Sequence, residues 1–198
     1  MKLRKLHRII GLVMLLPFFG WALTGLVFFL KPGYDGAYEM LQPKTYPMNE
    51  QVALSPAPSW LEFRYCRTML GNHLIVRTAQ GWQHLDPLSL LPRKKPTPDE
   101  IRLLLTDAFS ASPQRYGQIT ELTNEVATTN TQVRVTLDWN RLSLQQRGRD
   151  TDRIDWLYKI HYLQWTGVKA VDKVVGMVGI GLIIVLSLLG LRLVFDFK

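Results

Sequence analysis

The stretch IIGLVMLLPFFGWALTGLVFFL, residues Ile9–Leu30, contains no charged side chain. A second apolar stretch, Val171–Val194, is uncharged from Val174 to Leu191. Each stretch is close to the ~20 residues that a helix needs to cross the hydrocarbon layer of a bilayer. We therefore predict transmembrane helices at 9–30 and 171–194, with one domain between them.

Basic residues flank the first predicted span unevenly. Lys2, Arg4, Lys5 and Arg8 precede it, and they account for part of the formal net charge of +8. The positive-inside rule places segment 1–8 in the cytoplasm, and a second span returns the tail, 195–198, to the same side. In a chain with membrane spans, Lys and Arg indicate topology and contact with the lipid bilayer, so we do not expect nucleic acid as a partner.

The first span is predicted to be a retained anchor. It is longer than the apolar region of a signal peptide, and no small-residue cleavage site follows Leu30. The central domain would then lie in the periplasm of a bacterium, and the protein would be a two-pass protein of the inner membrane with both termini in the cytoplasm.

The segment between the spans changes character along the chain. Residues 31–58 are rich in proline and predict an extended, surface-lying linker. Residues 59–150 predict a PepSY-like domain of the α+β class, in which an antiparallel sheet packs on a helix. The predicted strands and turns indicate the order strands, helix, strands: 60–70, 73–78, 82–86, a helix from Thr97 to about Ala111, then 117–122 and 133–139.

Two helices outside the spans have clear sequence signals. Thr97, Pro98 and Glu100 match a capping box with proline in the first turn. Segment 151–167 predicts an amphipathic helix at the membrane interface, ended by Gly167.

The single Cys66 excludes an internal disulfide, and we expect its thiol to be buried.

Three groups of motifs carry a resemblance to a known family. They are Leu6–Gly11 with Leu23–Leu26 in the first span, the segment Gly81–Asp86, and Asp155–Leu163 followed by Leu189–Leu191. On these residues the chain resembles the PepSY-associated transmembrane proteins. Both spans match well and the middle domain matches loosely.

The resemblance implies two alternative functions. The family's PepSY module is associated with binding and with restraint of periplasmic proteases, which implies a membrane-anchored binding or accessory protein without its own catalytic site. Larger members have four spans, and some resemble haem-containing reductases that release iron from siderophores. That resemblance implies a haem b electron-transfer protein, an oxidoreductase. The present chain departs from those members in having two spans. It would then be a minimal form, a half that dimerises, or an accessory member without the redox chemistry.

His7 and His161 match the family's histidines near its span ends, and both are candidate haem ligands. His7, Gly11, Phe18 and Gly25 share one helix face, which would admit either a flat macrocycle or a partner helix. His7 and His161 lie at opposite ends of the spans, so one chain cannot place both on one haem. The alternative interpretation makes His7 a headgroup residue and His161 an interfacial side chain.

The remaining candidates favour packing over chemistry. His73 and His84 are interpreted as surface residues of a hairpin that sets His84 opposite Arg77, without a metal. Neither a hydrolase motif nor a phosphate loop is found in the sequence. The small residues of the second span follow one face. They predict close packing against the first span, a membrane or periplasmic partner, or a second copy. The predicted packing residues are Gly11 and Gly25 in the first span and Gly176, Gly179, Ser187 and Gly190 in the second.

Overall fold

The computed structural model describes residues 2–48 and 54–195. Two long helices, α1 (Lys2–Leu30) and α6 (Lys169–Phe195), coincide with the predicted spans, and α1 also includes the basic N-terminal segment. In their most apolar windows only 11% and 6% of the residues are buried. Helices this long with apolar side chains exposed all around suit a bilayer and not a soluble core.

The chain divides into two compact units, Met1–Tyr34 with Thr151–Lys198, and Asp35–Asp150. The first unit contains α1, α6 and most of α5 (Arg149–His161), and a short helix, α2 (Tyr34–Ala37), begins where it ends. Helix α5 ends at His161, earlier than the predicted 167, and residues 162–168 form the turn into α6.

The second unit is built from two antiparallel sheets, one long helix and one short helix. One sheet has the order β1-β2-β3 and the other β4-β5-β6-β7. The elements, in chain order, are β1 (Glu62–Thr68), β2 (Gly71–Thr78), β3 (Gly81–Leu85), α3 (Pro98–Phe109), α4 (Pro113–Tyr116), β4 (Ile119–Thr123), β5 (Val126–Thr129), β6 (Arg134–Asp138) and β7 (Ser143–Arg147). The predicted class, an α+β domain between two membrane helices, is confirmed. Strands β5 and β7 were not predicted, because β5 has only four residues and β7 is mostly polar.

Helix α3 packs its apolar face into the core of this domain. Its buried side chains are those that the helical spacing predicts: Ile101, Leu104, Leu105, Ala108 and Phe109. The predicted capping box is confirmed, because Glu100 N donates to Thr97 Oγ1 and Thr97 N donates to the Glu100 carboxylate. These bonds pair backbone N–H groups that a helix start otherwise leaves open.

The segment 31–58 contributes more to the domain than a linker would. Leu41 is 5% exposed and belongs to the same core cluster as Ile75 and the apolar face of α3. Tyr46 pairs with Arg67 of β1 in an isolated bridge, and its hydroxyl donates to Asp107 at 2.8 Å. The segment contains helix α2 and is anchored by core packing. Residues 49–53 of this segment lie outside the described residues.

Candidate functional site at His161

His161 ends α5 and is held by α1 through two hydrogen bonds. The indole Nε1 of Trp21 donates to the backbone oxygen of His161 at 2.5 Å. Thr24 Oγ1 lies 2.8 Å from His161 Nδ1. The ring of Phe28 meets the imidazole edge to face, with centroids 5.2 Å apart. Position and orientation of the ring are therefore both fixed within the membrane unit.

The hydrogen bonds of Thr24 decide which nitrogen of His161 carries the proton. The Thr24 hydroxyl has a single hydrogen, and it donates to the Gly20 carbonyl at 2.6 Å. Thr24 Oγ1 must therefore accept from His161, which places the proton on Nδ1. The Nε2 nitrogen then has a free lone pair and no protein partner among the described residues. Histidines that bind a metal have the same arrangement: one ring N–H donates to a neighbour and the other nitrogen is open.

A cavity of about 280 Å³ borders His161. Its other walls are almost entirely apolar: Trp21, Tyr162, Leu163, Gly176, Ile180 and Ile183. The volume is at the lower end of the ~300–1,000 Å³ typical of small-molecule sites. One chain alone does not enclose a large planar macrocycle there.

His7 occupies a separate position near the other end of α1. A methyl group at Gly190 would lie 3.3 Å from His7 Cε1, so the imidazole packs on the α6 backbone. His7 Nδ1 is buried without a hydrogen-bond partner in the described part of the chain. Thr24, the partner of His161, lies 17 positions further along α1, or about 26 Å at 1.5 Å per residue. The structure thus does not bring His7 and His161 together.

Some of the small residues in the spans lie against other parts of the membrane unit, residues 1–34 and 151–198. A methyl group at Gly179 would lie 2.8 Å from Leu163 Cδ1 and 3.5 Å from Trp21 Cη2, and one at Gly176 would lie 3.6 Å from the Tyr162 carbonyl. At Gly11 the nearest atom would be Leu186 Cδ1, at 3.8 Å.

Two predicted packing residues face away from these contacts. A methyl group at Gly25 would meet nothing within 4 Å in the described chain, and Ser187 is exposed. Packing of these two residues against a second copy or a partner stays a prediction.

His73 and His84, interpreted above as surface residues, are buried at 0% and 3% exposure, so that interpretation was wrong. The β2–β3 turn is shorter than assumed: Arg77 pairs with Trp82, and His84 with Ile75. In this register His84 lies diagonally opposite His73 on the same face of the sheet, and their rings are 5.0 Å apart. Both are buried because the central strand β2 is covered on both faces from His73 to Val76.

The two buried histidines form a directed chain of hydrogen bonds. The Trp139 carbonyl is only an acceptor, so His84 Nδ1 donates to it at 2.8 Å. His84 Nε2 then accepts from His73 Nδ1 at 2.9 Å, and His73 Nε2 accepts from the Thr68 hydroxyl at 2.7 Å. The chain joins the β1-β2-β3 sheet to the end of β6. A two-residue turn at Ala79 and Gln80, instead of the longer turn assumed from the sequence, would have predicted that the two histidines are neighbours.

Burial keeps both imidazoles neutral. It lowers the pKa of His73 to about 3 and that of His84 to about 4, and the nearby Arg93 and Arg64 guanidiniums act in the same direction.

Cys66 is half-buried against the core, and burial raises the pKa of its thiol. Cys66 is therefore a poor nucleophile at neutral pH, because the thiolate is the reactive form. No cluster of three or more metal-ligating side chains occurs among residues 2–48 and 54–195.

Comparison with protein families identifies the relationship. The model of the PepSY-associated TM region matches residues 4–197, which is nearly the whole chain. The chain belongs to the PepSY-associated TM region family. The match includes both spans and the domain between them, so this PepSY-associated protein is a two-pass membrane protein. No curated protein and no solved structure matches the chain.

Proposed function

We propose that this PepSY-associated protein is a binding or accessory subunit of the inner membrane, without a catalytic site of its own. Both termini lie in the cytoplasm, and domain 35–150 lies in the periplasm and contacts a membrane or periplasmic protein. The basic residues before the first span support this topology, since lysine and arginine are enriched on the cytoplasmic side.

A rigid, exposed apolar turn between β3 and α3 is the observation that carries this proposal. Leu88 is 93% exposed and Leu91 65%, so two large apolar side chains of one turn face solvent. The turn is held by Asp86, whose carboxylate accepts from Leu88 N at 3.1 Å, from Ser89 N at 2.9 Å and from Ser89 Oγ at 3.0 Å. The bonds from Ser89 lower the pKa of Asp86. The leucines are therefore presented on a backbone that is already ordered, which lowers the entropic cost of docking a partner on them.

In-cell photo-crosslinking tests this proposal. A photoreactive amino acid at Ser89 should give one discrete covalent adduct, whose mass distinguishes a second copy from a different protein. The same amino acid at Gln80, in the β2–β3 turn, serves as the matched control and should give none. Leu88→Glu with Leu91→Glu should abolish the Ser89 adduct. Identical adduct patterns at Ser89 and Gln80 would contradict a binding role for the leucine turn.

The geometry of His161 favours haem b electron transfer as a second candidate function. Its open Nε2 and its fixed ring suit a metal ligand, and a haem bound there would supply one-electron chemistry. Since the described residues provide a single histidine at this end of the spans, a second copy or a partner would complete the site. His7, with its unpartnered Nδ1, would serve a separate group near the other end.

Absorption spectra of the purified full chain decide between the two candidates. Haem binding predicts a Soret band and, after reduction, an α band, both of which disappear in His161→Ala. Tyr162→Phe is the control, because it changes a neighbouring ring and keeps the imidazole. A protein purified from haem-replete cells without such bands would exclude the haem candidate and leave the accessory role.

A further inference from the structure

An open cleft of about 870 Å³ lies where α5 turns into α6. Three lysines line it: Lys159 near the end of α5, and Lys169 and Lys173 in the first turns of α6. All three are exposed, and none has an ion pair or a hydrogen bond from its ammonium group to the described residues. Three uncompensated cations around one cleft favour an anionic ligand.

Asp172 is the one acid that lines the cleft, and it is already engaged. Its Oδ1 accepts from Thr166 N at 2.9 Å and from Thr166 Oγ1 at 2.7 Å. The side chain is buried, with 7% of its surface exposed. The carboxylate therefore closes the turn before α6, and the positive charge of the lysines remains in excess.

The cleft becomes apolar along α6. Gly176 and Met177 line it beyond the lysines, on the uncharged part of the second span. Trp165 and Tyr162, 51% and 58% exposed, also line it, and such side chains concentrate at the level of lipid headgroups. One cleft thus offers cations at the membrane surface and apolar surface on the hydrocarbon side.

We propose that this cleft binds an anionic phospholipid, with its phosphate among the ammonium groups of Lys159, Lys169 and Lys173. The start of an acyl chain lies against Gly176 and Met177. Attraction of lysines to anionic headgroups and burial of apolar surface both strengthen the binding of a protein to lipid.

Titration of the purified full chain in a non-ionic detergent tests the proposal. The probes are short-chain phosphatidylglycerol, phosphatidylcholine of the same chain length, and inorganic phosphate. Phosphatidylglycerol should bind at least tenfold more tightly than phosphatidylcholine, and the preference should weaken with salt, because the lysines are exposed. Inorganic phosphate at the same concentration should not displace the lipid, since it lacks the acyl contact.

Two lysine variants make the result specific. K169Q/K173Q should lose the preference for phosphatidylglycerol, whereas K94Q/K95Q, which removes the same charge from domain 35–150, should retain it. Equal affinity for the two lipids in the unmodified chain, or an unchanged preference in K169Q/K173Q, would overturn the proposal. Displacement by inorganic phosphate would show a site for free anions and would also overturn it.

Discussion

Thr24 Oγ1 and His161 Nδ1 are 2.8 Å apart although their residues are separated by 137 positions in the sequence. Because the Thr24 hydroxyl donates to its own helix, the contact fixes both the orientation and the tautomer of the imidazole. Threonine back-bonding within a helix is common, and here it leaves the oxygen free to accept from another helix.

The tautomer of His161 should depend on the Thr24 hydroxyl. In the unmodified chain, ¹⁵N spectra of labelled histidine should show His161 protonated on Nδ1. Thr24→Val removes the acceptor, so the Nε2-protonated form should become populated. Thr24→Ser keeps the hydroxyl and should preserve the original spectrum. An identical His161 signal in all three proteins would contradict the hydrogen-bond assignment.

Packing of the two spans should depend on Gly179. A Gly179→Leu side chain would collide with Leu163 and Trp21, and helix association in lipid relies on close van der Waals contact. Disulfide formation between Gly11→Cys and Leu186→Cys, in a Cys66→Ser background, should fall severalfold. Ile184→Leu changes an exposed position of the same helix and should leave cross-linking unchanged. Equal cross-linking in the two backgrounds would exclude Gly179 from the interface.

Domain 35–150 should lose stability in acid through its two buried histidines. Their pKa values in the folded protein, about 3 and about 4, lie below the ordinary 6.5, so below pH 6.5 the unfolded chain takes up protons first. The stabilisation is complete above pH 6.5 and is lost as the pH falls toward 4, by about 1 kcal/mol per pH unit for each histidine.

Chemical denaturation of the full chain between pH 7 and pH 4.5 measures this loss. A His73→Gln/His84→Gln protein is expected to be less stable at pH 7 but to show a flatter dependence on pH. The same slope in both proteins would mean that other groups cause the acid sensitivity.

The cap of α3 should contribute measurably to the stability of the domain. Thr97→Ala removes the acceptor for Glu100 N and should cost about 1 kcal/mol, whereas Thr97→Ser keeps the oxygen and should cost less. Hydrogen exchange of residues 98–109 measures the effect directly. Unchanged protection in Thr97→Ala would mean that core packing alone holds the first turn.

Membrane topology gives a separate prediction. A reporter that is active only after export should stay inactive when fused after Lys198. Insertion of the same reporter at Gln80 should make it active, because domain 35–150 is then on the periplasmic side. Activity at the C-terminus would exclude a topology with both termini in the cytoplasm.

The sequence by itself determined the features that depend on local pattern. The length of the two uncharged stretches specifies α1 and α6. In lipid the backbone N–H and C=O groups must be hydrogen-bonded within the segment, and a helix achieves this. Thr97 and Glu100 specify the start of α3, since a capping box acts over one turn, and helical spacing identifies the buried face of α3.

Only the tertiary structure decided the features that depend on register and on distant contacts. The β2–β3 register sets His84 diagonally opposite His73, and packing on both faces of β2 buries the hydrogen-bonded pair. The open Nε2 of His161 depends on Thr24, which no local pattern connects to it. Register decides which residues meet across a sheet, and burial of a sheet face depends on what packs on it. Contacts between helices likewise depend on how they pack, so none of these can be derived from residue spacing alone.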